Sequence, residues 1–86
     1  MPFIKEDLIG DNYKWIDANS YTGSPSRRLF DRYDGNQVLF IINSIGSLSE
    51  KFSIVEGLQI EEKIIHHLPS AIKSELSVFN WLKSTH

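Results

Sequence analysis

Residues 38–42 read Val-Leu-Phe-Ile-Ile, five apolar side chains with no polar position between them. A strand with one wet face alternates polar and apolar residues, so this block predicts a strand covered on both sides. A β-prone run, residues 27–33, precedes it across Asp34-Gly35. That dipeptide tolerates the positive φ angles of a tight hairpin turn. Register stays open: a two-residue turn pairs Tyr33 with Asn36, and a three-residue loop with Gly35 left-handed pairs Arg32 with Asn36.

Upstream, residues 13–18 alternate Tyr13, Trp15 and Asp17 on one face with Lys14, Ile16 and Ala18 on the other, which predicts a first strand. Residues 19–26 are rich in Ser, Gly and Pro and form a loop. Residues 50–56 have two readings. They are a fourth strand ending at Gly57, or Ser47-Leu-Ser-Glu50 or Ser53-Ile-Val-Glu56 is a capping box that opens a long helix. The strand is preferred because glycine inside a helix costs about 1 kcal/mol relative to alanine. A fourth strand also makes residues 38–42 central.

Helical spacing begins further on. Residues 58–68 carry Leu58, Ile64, Ile65 and Leu68 as an apolar stripe, with Glu61 and Glu62 ahead of His66 and His67, and Pro69 stops the run. Ser70 is the expected N-cap of a second helix over residues 71–83, with Ala71, Ile72, Leu76, Val78, Phe79 and Leu82 at three- and four-residue steps. The expected fold class is α+β: an antiparallel three- to four-stranded meander, then two C-terminal helices packed on one face. Its expected core is Ile16, Leu29, Phe30, residues 38–42, Ile65, Leu68, Ile72, Leu76, Phe79 and Leu82.

The 86 residues suit a single small domain, residues 1–86, with 1–12 as a loosely held arm. Charged residues at 23% and hydrophobic residues at 41% place the chain among globular proteins. No cysteine is present, which removes disulfides and thiolate chemistry and favours a cytoplasmic setting. No apolar run is long enough for a membrane helix, and residues 1–10 lack the features of a signal peptide. A net charge of −2 gives no global reason to bind nucleic acid or anionic lipid.

Local chemistry is sparse. The loop over residues 20–28 runs into Arg27 and Arg28, and with Arg32 and Tyr21 it makes a candidate phosphate or nucleic-acid contact. The plain alternative is an edge strand whose arginines face water. His66 and His67 point about 100° apart on a helix, and a Glu62–His66 pair lacks further ligands, so no metal site is expected. No nucleophile elbow, paired-carboxylate spacing or cofactor loop stands out, so neither catalytic residues nor a cofactor is expected. Tyr13, Trp15 and Trp81 are the candidate interface anchors. The function expected on this basis is a non-catalytic protein-interaction module that binds another protein, first of all itself as a homodimer. Nucleic acid or phosphate is the alternative partner.

Overall fold

Asp34 opens a helix rather than a hairpin. Its side chain accepts from the backbone N–H groups of Asn36 (3.0 Å) and Gln37 (3.3 Å), the arrangement of a helix N-cap. The residues that follow, Gly35–Gly46, form α1. The computed structural model describes residues 3–10, 12–15, 21, 23–48 and 51–85. Among these it holds three α-helices and no sheet, with a short 3₁₀ turn at Lys5–Asp7. Extended pairing is confined to two isolated bridges, Lys14 with Asp34 and Leu29 with Ser74. The expected α+β meander is therefore wrong, and the fold is helical.

The reason lies just beyond the apolar block. Val38, Ile41, Ile42 and Ile45 recur at helical spacing and are the buried hydrophobic side chains of α1, while Leu39 and Phe40 are only partly covered. The block is central, as a helix and not as a strand. α1 packs against both other helices and against the 3₁₀ turn.

The fourth strand is also absent. Ser53 Oγ accepts from the Glu56 N–H at 3.3 Å and caps α2, Ile54–Glu62. The Ser53-Ile-Val-Glu56 alternative is thus the one realised, with α1 and α2 as separate helices. Gly57 lies within α2 because the helix meets the Phe3 ring there. A Cβ at that position would land well inside contact distance of two ring carbons. α2 continues into a π turn, Lys63–His67, ahead of Pro69. The last helix, α3, covers Glu75–Thr85. It starts four residues later than expected because Ser74, and not Ser70, supplies the cap, accepting from the Ser77 N–H at 3.1 Å.

The core comprises Phe3, Val38, Ile41, Ile42, Ile45, Ile60, Ile64, Leu68, Val78 and Leu82. Leu29, expected inside, is 76% exposed. Phe30, Ile72 and Phe79 lie partly buried against this cluster. Residues 16–18 of the expected first strand lie outside the described residues.

Four polar side chains share the interior: Asp34, Gln37, Glu61 and Glu75. Burying a carboxylate is costly unless it is fully hydrogen-bonded. Glu75 accepts from Ser26 N–H (2.9 Å), Arg28 Nε (2.8 Å) and Gln37 Nε2 (2.9 Å). Glu61 accepts from Ile9 N–H (3.0 Å), Gly10 N–H (3.1 Å) and the Tyr13 hydroxyl (2.6 Å). Each glutamate therefore ties part of the irregular N-terminal region to a helix: Glu61 holds Ile9, Gly10 and Tyr13 on α2, and Glu75 holds Ser26 and Arg28 on α3. Among the described residues no buried side-chain polar atom lacks a partner.

Candidate functional site

The Glu61 clamp builds one wall of a cleft. Ile9, Gly10 and Tyr13 are held on α2, and next to Tyr13 the Lys14 N–H donates to Tyr33 O at 2.6 Å while the Lys14 carbonyl accepts from Gly35 N–H at 3.0 Å. Trp15 packs so closely on α1 that a Cβ at Gly35 would lie 2.5 Å from its ring. Glycine is needed there for that approach, not for a turn. Arg32 and Tyr33 form the second wall. The floor is the outward face of α2 and its π turn, where Val55, Leu58, Gln59, Glu62, Ile65 and His66 follow helical spacing. The enclosed volume is about 700 Å³, within the roughly 300–1,000 Å³ of ligand and anchor pockets.

The cleft's chemistry divides into groups already engaged and groups on offer. Burial, followed by the hydrogen bond to Glu61 and that group's proximity, pushes the Tyr13 phenol far above its ordinary pKa. Tyr13 and Glu61 are thus engaged with each other. Arg32 Nη1 donates to the Ile65 carbonyl at 3.2 Å, which satisfies an acceptor in the π turn where helical bonding gives out. Arg32 is also one of the residues that line the cleft. Around the rim the apolar side chains Ile9 (76% exposed), Val55 (64%) and Tyr33 (52%) stand in water.

The four candidate phosphate contacts do not share a surface role. Arg28 is ion-paired with Glu75 and lies over the rings of Tyr21 (4.6 Å) and Phe40 (5.4 Å). The Tyr21 hydroxyl donates to Asp34 Oδ2 at 2.6 Å. Burial and that hydrogen bond push its pKa up to about 12. Burial alone would raise the Glu75 carboxyl, but the hydrogen bonds from Arg28, Gln37 and the Ser26 amide, with the Arg28 charge, outweigh it and hold the group below its ordinary range. Arg28 and Tyr21 therefore fasten the fold, Arg32 lines the cleft, and Arg27 is exposed.

Of the three candidate interface anchors, Tyr13 lines the cleft. Trp15 is half-buried, with the Lys5 ammonium 4.5 Å from its ring centre. Trp81 lies partly buried against the core. His66 is at the cleft edge and both histidines are exposed. Among the described residues no three His, Asp or Glu side chains group as a metal site.

Glu61 and the rim pair Ile9 and Val55 are the site residues that sequence reasoning missed. Helical spacing to Ile64 and Leu68, three and seven residues on, puts Glu61 on the inner face of the helix, a signal already present within residues 58–68. No family model matches the chain, and comparisons with curated proteins and with solved structures likewise find no match. None of the described helices is long and apolar enough to cross a membrane.

Proposed function

We propose that this chain is a non-catalytic protein-interaction module that docks its partner in the cleft between Ile9, Gly10, Asn12 and Tyr13, Arg32-Tyr33 and α2. The observation that carries the reading is the exposed apolar rim, Ile9, Val55 and Tyr33, around a cavity of about 700 Å³. Contiguous apolar surface bordered by polar groups characterises interaction sites. The cleft's Tyr13–Glu61 pair is engaged internally, so the groups left for a partner are apolar side chains, Arg32 and peripheral polar residues. Absence of cysteine fits a reducing, cytoplasmic setting. Selection of random displayed peptides on the immobilised chain tests the reading. Enriched sequences should carry large apolar residues, and both Val55→Asp and Leu58→Asp should abolish their binding. Enriched peptides that bind these two variants as well as wild type would place the docking surface elsewhere and overturn the proposal.

A further inference from the structure

Building on that reading, we infer that the partner in the cleft is a second copy of this chain, docked about a twofold axis. A twofold interface uses one patch on both subunits, so the patch must complement itself in shape and charge. This one carries both halves of each requirement. Ile9 and Val55 project from the rim, 76% and 64% exposed, beside a hollow floored by Leu58 and Ile65. Rotation by a half turn sets the projections of each copy over the hollow of the other.

The charges match in the same way. Arg32 and Glu62 line the same cleft with opposite sign, yet among the described residues they form no ion pair with each other. Across a twofold axis Arg32 of one copy faces Glu62 of the other, giving two equivalent pairs. A uniformly acidic partner would leave Glu62 opposed, and a uniformly basic one would leave Arg32 opposed. A second copy supplies both signs at matched positions. The net charge of −2 per chain sets little long-range repulsion against pairing. A standard interface needs about 800 Å² from each partner, roughly one seventh of this chain's 5452 Å² surface.

Sedimentation velocity on the full chain at about 100 µM, a concentration suited to a micromolar dimer, reads the outcome. Wild type should sediment at twice the chain mass. Val55→Asp should be monomeric, and Glu62→Arg and Arg32→Glu should each weaken the dimer about tenfold or more. The double charge reversal should restore it to within a few-fold, because the pairs re-form with signs exchanged. Val55 and Glu62 are exposed, so their variants carry the test even where Arg32→Glu, which loses the Ile65 carbonyl contact, disturbs folding. A dimer indifferent to Val55→Asp and Glu62→Arg uses another face and overturns the inference. A wild-type monomer whose selected peptides still depend on Val55 overturns the second copy and leaves the interaction module standing. A monomer that selects no peptides removes both.

Discussion

Replacing Gly57 by alanine sets two effects of known size against each other. In an open helix the change stabilises by about 1 kcal/mol, because glycine loses more backbone freedom on folding. Here the new Cβ would collide with two carbons of the Phe3 ring. That ring cannot easily step aside. Phe3 is 3% exposed, and its backbone is held at both ends, N–H to Asn43 Oδ1 at 2.7 Å and carbonyl to Asn43 Nδ2 at 2.9 Å. Expelling the ring forfeits about 1.5–3 kcal/mol of apolar burial. The net expectation is a loss of about 1 kcal/mol, or roughly 4–8 °C in Tm for a domain of this size. Thermal melts of wild type, Gly57→Ala, Phe3→Val and the double variant measure it. With the ring carbons gone, the same Gly57→Ala change should reverse sign and stabilise by up to about 1 kcal/mol. A rise in Tm for Gly57→Ala in the wild-type background, or a sign that does not change in the Phe3→Val background, would refute the steric argument.

Glu75→Gln should cost about 2 kcal/mol, the scale of a charge-assisted hydrogen bond, and should flatten the acid limb of a Tm-against-pH curve. The Glu75 carboxyl is held below its ordinary 4.5 in the folded chain. The unfolded chain therefore takes up the proton first, and the contribution is fully present above about pH 4.5 and lost as pH falls through the lower folded value. An unchanged acid limb in Glu75→Gln would rule this out. Ile41→Ala should cost about 2–5 kcal/mol, whereas Phe40→Ala should cost less, because Ile41 is fully buried and Phe40 only partly so. Denaturant melts that rank them the other way would contradict the assignment of faces on α1.

Local chemistry left the architecture undecided at the residues that mattered most. Asp34-Gly35 suits a hairpin turn and a helix start equally, because an Asp side chain can accept backbone N–H groups in either setting. Residues 38–42 have no polar alternate, so their period emerges only when Ile45 is counted with Val38, Ile41 and Ile42. Gly57 argued against a helix through its intrinsic cost, and the compensating partner, Phe3, lies more than fifty residues away in the chain. The later helices are clearer in existence than in their starts: Pro69 is a local stop, but the strand reading of residues 50–56 displaces the Ser53-Ile-Val-Glu56 start, and Ser70 competes with Ser74 as the last cap. At the site, sequence pattern alone singles out Tyr13 as an interface anchor and Arg32 as a phosphate contact without their setting, and the cleft joins them. Nothing in the neighbouring sequence separates buried Glu61 from exposed Glu62 except the phase of the helix that carries both.

The two glutamate clamps also govern how this chain must reach its native state. Ile9 lies 52 residues from Glu61, and Ser26 lies 49 from Glu75. The helices themselves can form on the microsecond scale, but closing a loop of about 50 residues costs roughly 3.5 kcal/mol of chain entropy. A helical domain built this way folds more slowly than its secondary structure suggests, at a rate set by distant contacts. The two loops overlap in sequence. Closing either one brings the ends of the other within reach, which shortens the remaining search. The irregular first third and the helical remainder are thereby made to fold together, in one cooperative transition.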